Sequence, residues 1–294
     1  MAGSDIHDTS DLAGLEAGLD ALERDTVARV PLAGLILARV VPPLCAVVLI
    51  VGGWQLAAAL DVKPDHVLPG PLDVARTLRH MWLRGTLLGY VWTSVSRGAL
   101  GFCLSIVIGT PLGLAVARLR WVRAAFGPIL SGLQSLPSVA WVPAALIWFG
   151  LTDTTVYAVV LLGAVPSIAN GLVAGVDQTP PLYLRAGRVI GATGPASVIH
   201  VLLPAALPGF LAGLKQGWAF SWRSLMAAEL IASSPDLGIG LGQLLDNFRT
   251  NSDMSGVLAT IILILCVGIG IDLLVFSPLE RRVLRSRGLF ARAL

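Results

Sequence analysis

The sequence predicts an all-α, polytopic membrane protein with six transmembrane helices. Three observations carry that expectation. Of the 294 residues, 55% are hydrophobic and 13% charged, about half the charge of a soluble domain, and mean hydropathy is +0.79. The apolar residues fall into six runs, each near the ~20 residues that a bilayer requires. Lys and Arg gather in alternate loops, the bias that sets orientation.

Residues 1–30 are polar and acidic. Leu12, Leu15, Leu19 and Leu22 recur at helical spacing after Ser10, an apt N-cap, so the stretch reads equally as a short amphipathic helix or as a disordered tail. It lacks a basic start before an apolar core and so is no secretory signal. We divide the chain into an N-terminal tail (1–35), a transmembrane domain (36–288) and a C-terminal tail (289–294). The spans are expected at about 40–60, 98–117, 126–149, 156–176, 207–231 and 256–276. Between the first two, Pro71 to Trp82 is amphipathic and reads as an interfacial helix. Cys45, Cys103 and Cys266 sit singly inside apolar runs, which implies neither a disulfide framework nor a metal site; they read as small packing residues.

Charge orients the spans. With the N-terminus inside, the inner segments hold Arg24, Arg29, Arg118, Arg120, Arg123, Arg185, Arg188, Arg281, Arg282, Arg285, Arg287 and Arg292. The outer ones hold only Lys63, Arg76, Arg79, Arg84 and Arg249. Both termini are therefore expected in the cytoplasm.

Residues 177–209, reading DQTPPLYLRAGRVIGATGPASVIHVLLPAALPG, cannot span a bilayer, because Pro180, Pro181, Pro195, Pro204 and Pro208 interrupt them. Thr179 is placed to cap a helix from about Pro180 to Ile190, and Gly191 to end it in a left-handed conformation. Thr193 is placed to cap a second short helix over Ala196 to Leu202. Such a helix–turn–helix on a membrane surface has the shape of a docking site.

This loop resembles the cytoplasmic coupling loop of ABC importer permeases, E-A-A-x3-G-x9-I-x-L-P. Ala186 and Gly191 match, Val201 holds the Ile position, and Leu203 and Pro204 follow. Arg185 stands where Glu is expected and Gly187 where the second Ala is. The LPAALPG ending is similar to the nitrate, sulfonate and taurine branch. So are TSVSRGALGFCLSIVIGTPLGLAVARLR (93–120), LPSVAWVPAALIWFG (136–150) and SWRSLMAAELIASSPDLGIG (221–240). The resemblance implies the type I importer permease fold in a bacterial inner membrane. It implies a homodimer, two cytoplasmic ATP-binding subunits that hold ATP and Mg, and an extracytoplasmic substrate-binding protein. The cargo it implies is a small anion such as a sulfonate, taurine or nitrate; another small solute, such as a thiamine precursor, is the alternative.

The residues themselves agree with a transport subunit. The chain has no G-x-x-x-x-G-K-[ST] loop, so the usual phosphate-binding site for ATP is missing. A gradient-driven carrier is the competing class; it usually shows charge relays and internal duplication, and here the ionisable candidates within spans are few. They are Arg39, Arg97, Lys215, Arg223, Glu229 and Asp272. No acid–base pair or metal-ligand cluster supports an enzyme, and the dispersed charge offers no nucleic-acid patch.

Gln134, Ser135, Ser138 and Asn170 lie beside Pro137, Pro143 and Pro166, whose kinks free backbone groups that lipid does not tolerate. They read either as pathway lining or as interhelical hydrogen bonds. Arg223, with Trp222 beside it, is a candidate to attract an anion. Glu229 lies about 9 Å further along the same helix and reads as an outer-end group or a structural partner. Lys215 is placed to snorkel, and Asp272 to pair with Arg281 or Arg282.

Overall fold

The computed structural model describes residues 32–232 and 238–286, with side chains from residue 41 onward. The expected N-terminal amphipathic helix and the C-terminal tail lie outside these residues. The chain divides into two compact units, Met1–Val62 and Lys63–Leu294.

Among its described residues the first unit contains one helix, α1 (Leu32–Ala59), which continues through Pro42 and Pro43. Its apolar side chains, such as Leu49 and Ile50, are exposed, as lipid contact requires.

Among its described residues the second unit is built of helices joined by turns and short loops, with no strand. It begins with α2 (Pro71–Leu83), a helix where the sequence predicts an amphipathic one. The second span, α3 (Leu87–Arg118), starts eleven residues earlier than expected. Its first turns carry Thr93, Ser94, Ser96 and Arg97, which mask a span in a hydropathy reading. In the fold each is satisfied: Thr93 and Ser96 donate to Gly89 and Thr93 carbonyls, while Ser94 and Arg97 are buried among partners.

The third span is not one helix. α4 (Arg120–Ser135) and the segment Ser138–Phe149 meet at 101°. Leu136 is extended ahead of Pro137, as a residue before proline prefers. A 3₁₀ turn (Ser138–Trp141) then leads into α5 (Val142–Phe149). Pro143 occupies the first turn of α5, where its missing N–H is harmless, so it starts a helix instead of kinking one.

The fourth span, α6 (Asp153–Asp177), passes through Pro166 without a break. The loop that follows forms α7 (Pro181–Val189), then α8 (Gly194–Ser197), continued by a π turn (Val198–Leu202) into α9 (Leu203–Ile231). Pro204 sits in the first turn of α9 and Pro208 inside it, so the fifth span begins four residues before the expected Leu207. A helix absent from the sequence reading, α10 (Leu241–Thr250), precedes α11 (Met254–Ile271). A π turn (Asp272–Phe276) joins α11 to α12 (Ser277–Ser286).

Five of these helical runs are long and apolar enough to cross a membrane, and the bent α4–α5 pair makes a sixth when taken as one span. The three cysteines are all exposed, so the packing role expected of them does not apply.

α6 is the central helix, gripped by α3 on one side and α9 on the other. Small residues make the grip possible. A Cβ on Gly113 would stand 2.8 Å from Ala169 Cα, and one on Gly101 would stand 2.7 Å from Val160 Cγ1. On the other side, Gly209 and Gly213 face Gly175 and Gly171 backbone to backbone. In lipid no hydrophobic drive pulls helices together, so close backbone approach supplies the dispersion energy instead. Next to this seam Trp218 and Trp222 stack at 6.1 Å, with Phe102 and Phe276 set against Trp218.

A methyl group in this seam has nowhere to go. Gly213→Ala would place Cβ 2.5 Å from Gly171 Cα, and overpacking of this kind costs about 1–3 kcal/mol. The variant should lower the thermal midpoint of the purified protein. Gly127→Ala, whose Cβ meets nothing within 4 Å, should not.

Candidate functional site

Three arrangements in the second unit bear on function: a polar cleft, a buried ion cluster and the α7–α8 loop.

The cleft lies along α4, α6 and α9, with a volume of about 770 Å³. Gln134 and Ser135 of α4 and Asn170 of α6 line it. So do Ser131, Gln178 and Gln216, which sequence reasoning did not single out. Asn170 Nδ2 donates to Gln134 Oε1 at 2.9 Å, and Gln134 Nε2 donates to Ser167 Oγ at 3.0 Å. These residues therefore knit α4 to α6 and also border the cleft. The room exists because Gly171, Gly209 and Gly213 contribute no side chains to its wall. Gln216 and Phe220 continue the same face of α9 at helical spacing, and Arg223 comes next. The Arg223 guanidinium lies 4.5 Å from the Phe220 ring centroid, its Nε bonded to the Ala219 carbonyl at 3.1 Å. Arg223 is exposed, so this charge is presented outward from α9 and not buried within the chain.

The other sequence candidates fall elsewhere. Ser138 opens the 3₁₀ turn and does not border the cleft. Trp222 points into the aromatic core, about 100° round the helix from Arg223.

Glu229 is 3% exposed and forms the centre of an ion cluster. Ser94 Oγ donates to its Oε2 at 2.7 Å, and the Gly242 N–H donates to the same oxygen at 3.0 Å. Arg97 Nη1 reaches Oε1 at 3.4 Å, while Arg97 Nε pairs with Asp153 at 3.0 Å. The Leu241 N–H donates to Ser94 Oγ at 2.7 Å. One carboxylate thus satisfies the start of α10 and ties it to α3, α6 and α9. Gly242 is needed for the approach, since a Cβ there would stand 2.6 Å from Glu229 Cβ. The sequence shows Glu229 and Arg97 as isolated charges; their meeting depends on tertiary folding. Near the middle of α9 (Leu203–Ile231), Lys215 pairs with Asp272 at 3.2 Å and Glu280 at 3.8 Å. Lys215 therefore bridges helices, and it takes the partner role for Asp272 that had been expected of Arg281 or Arg282.

In the loop, α7 rests on α8 and the π turn through one small contact. Gly187 is buried, and a Cβ there would stand 2.9 Å from Val201 Cγ2. The Ala-to-Gly departure at 187 thus makes room for Val201. Gly191 has φ +86°, a left-handed turn that β-branched residues enter only with strain. Thr179 does not cap α7: its hydroxyl donates to the Gly175 carbonyl at 3.0 Å, and Pro180 occupies the cap position. Arg185, Ala186 and Pro204 are exposed, and Leu203 is half-buried. His200 is exposed, its Nδ1 3.1 Å from the Ala196 carbonyl.

A family described as the binding-protein-dependent transport system inner membrane component matches residues 109–284, a stretch that includes α6, the loop and α9. The chain belongs to this family. Its relatives include the aliphatic sulfonates permease SsuC of Bacillus subtilis, 30% identical over 81% of this chain and 84% of that protein. The taurine permease TauC of Escherichia coli is 29% identical over 78% of this chain and 84% of its own length. The nitrate permease NrtB of Synechocystis is 26% identical, with 82% and 89% covered. The fold also matches a chain of the MetNI methionine ABC transporter, with a TM-score of 0.57 at 22% identity, covering 69% of this chain and 97% of that one.

The permease is therefore a multi-pass inner-membrane subunit of an ABC importer that works with ATP-binding subunits and a binding protein. It is not itself an enzyme; ATP hydrolysis belongs to a separate subunit.

The ion cluster gives the permease a testable weak point. Glu229→Ala would leave Ser94, Gly242 N–H and one end of Arg97 without their acceptor, and breaking a buried pair from one side costs about 3–5 kcal/mol. The thermal midpoint of the purified variant should fall well below that of Glu229→Gln, which keeps the shape and much of the hydrogen bonding. Equal midpoints for the alanine variant and the unaltered permease would contradict this assignment.

Proposed function

We propose that the permease carries a small oxyanion of the sulfonate, taurine or nitrate class through a homodimer. In this reading both termini and the 177–209 loop face the cytoplasm, and two ATP-binding subunits hold ATP and Mg. An extracytoplasmic binding protein delivers the cargo.

The observation that carries the proposal is the chemistry of the α4–α6–α9 cleft. Gln134, Asn170, Gln178 and Gln216 offer amide donors, Ser131 and Ser135 offer hydroxyls, and no acidic side chain among the described residues lines it. Arg223 follows on the same face of α9. Neutral donors with one neighbouring guanidinium suit an oxyanion, which accepts several hydrogen bonds at once. Neutral dipoles also hold an anion less tightly than a ring of cations would, and a transport pathway must release what it binds. A second copy of the chain would close the side of the cleft that one copy leaves open. The named cargoes of the relatives (sulfonates, taurine, nitrate, bicarbonate) share an oxyanion group.

Uptake by the complete transporter in vesicles is the test. Arg223→Ala should reduce uptake by roughly tenfold, the worth of one charge-assisted contact. Ligand binding by the separate receptor and the melting temperature of the permease should both stay unchanged. Arg223→Lys should restore part of the rate if charge matters more than the guanidinium fork. Full uptake by a well-folded Arg223→Ala variant would remove Arg223 from the pathway.

A further inference from the structure

We propose that the α7–α8 loop is a cationic dock, and that the ATP-binding subunit meets it with carboxylates rimming an apolar groove. The inference rests on the reading of this loop as the element that faces that subunit.

The sequence between Asp177 and Glu229 contains no acidic residue, while Arg185, Arg188 and His200 fall within the loop. α7 is seated through Gly187 and half-buried Leu184, and the rest of it points outward. Leu182, Tyr183, Val189 and Ile190 are exposed by 67%, 53%, 87% and 84%. Three large apolar side chains on a nine-residue helix and a fourth, Ile190, at its C-cap, with Arg185 and Arg188 among them, make a surface suited to being covered.

The charges point to the partner's chemistry. Arg118, from the end of α3, and Arg188, from α7, converge on a pocket of about 260 Å³ with Leu184, Thr193 and Ser197. None of Arg118, Arg185 and Arg188 is ion-paired among the described residues. Nearby Arg123, in contrast, holds Asp177 through two bonds of 2.9 and 2.6 Å, so the chain supplies an internal partner where one is called for. Covering Arg118, Arg185 and Arg188 with a neutral surface would strip their water without replacement, whereas carboxylates would restore the lost contacts. Two guanidiniums converging from different helices on one pocket, beside two hydroxyls, are arranged for a single side-chain anion. A lipid surface would be met by cations spread in a plane.

At position 185 the chain reverses the sign of the Glu in the related motif, so the acidic complement belongs to the partner. This leads to an expectation opposite to restoring the motif: Arg185→Glu should harm the transporter. The experiment uses full-length permease with its ATP-binding subunit and binding protein in vesicles of neutral phosphatidylcholine. It compares the unaltered chain with Arg185→Glu, Arg188→Glu, Arg185→Lys and Gly191→Val, reading assembly and ATP-driven uptake.

Assembly of the unaltered chain should weaken as salt rises from about 0.05 to about 0.5 M, which shortens the Debye length several-fold. Each Glu variant should weaken assembly by about tenfold or more and flatten the salt dependence, while Arg185→Lys stays within about threefold. Unchanged or tighter assembly of both Glu variants would overturn the proposal. So would a salt dependence that appears only when anionic lipid is added, because the cations would then serve the membrane. If Gly191→Val uncouples uptake while the Glu variants behave normally, only the charge assignment fails. If Gly191→Val also supports normal uptake, the loop is not the dock and the underlying reading fails with it.

Discussion

The backbone contact between α6 and α9 is the constraint on which the rest of the unit depends. Gly171 and Gly175 meet Gly213 and Gly209 with no room for a methyl group, and α3 closes on the other side of α6 through Gly101, Gly109 and Gly113. Water cannot drive this packing inside a bilayer, so it depends on atoms brought within dispersion range. The same missing side chains create the cleft: Gly171, Gly209 and Gly213 belong at once to the helix contact and to the cleft wall. Packing and cleft thus come from one sequence feature, and the amides of Gln134, Asn170 and Gln216 need only border the space it opens.

Charges fasten the glycine-packed bundle at two levels. Glu229 anchors the α10 end of α9 to α3 and α10, and Lys215, near the middle of α9, anchors it to the π turn and α12 through Asp272 and Glu280. In these two clusters Glu229, Arg97 and Lys215 have each found a partner on another helix, which is the condition under which a membrane interior tolerates them. Arg223 stands apart: it bonds only to its own helix and to Phe220, and it faces outward. That contrast separates Arg223 from the charges that hold the fold, and it is why the proposed reading gives Arg223 to the cargo.

The spans were legible wherever composition alone decides them: α6 and α9 lie within a few residues of the sequence reading, and Gly191 adopts the expected left-handed turn. Two kinds of feature were not. Hydropathy averages hide polar residues whose partners lie far along the chain, so the first turns of α3 were read as loop; Ser94 and Arg97 pair with Glu229, 135 and 132 positions away. Helix α10 was missed for the same reason, since its N-terminus is capped by that distant carboxylate. The small-residue stripes Gly101–Ser105–Gly109–Gly113 and Gly209–Gly213–Gly217 were readable as packing faces, and they would have located the α6 seam and drawn attention to Gln216 beside it.

The central claim is that the face of α9 carrying Gln216 borders a water-filled path that opens alternately to the two sides of the membrane. It is tested most directly by a single cysteine at Gln216 in a cysteine-free permease assembled with its ATP-binding subunit. A small, charged, membrane-impermeant thiol reagent is applied from each side, with and without trapped nucleotide. The account predicts labelling from one side in the resting state and a reversal or loss of that access when nucleotide is trapped, with cargo slowing the reaction. A cysteine that stays unreactive from both sides in every state would place this face against lipid or protein and contradict the account.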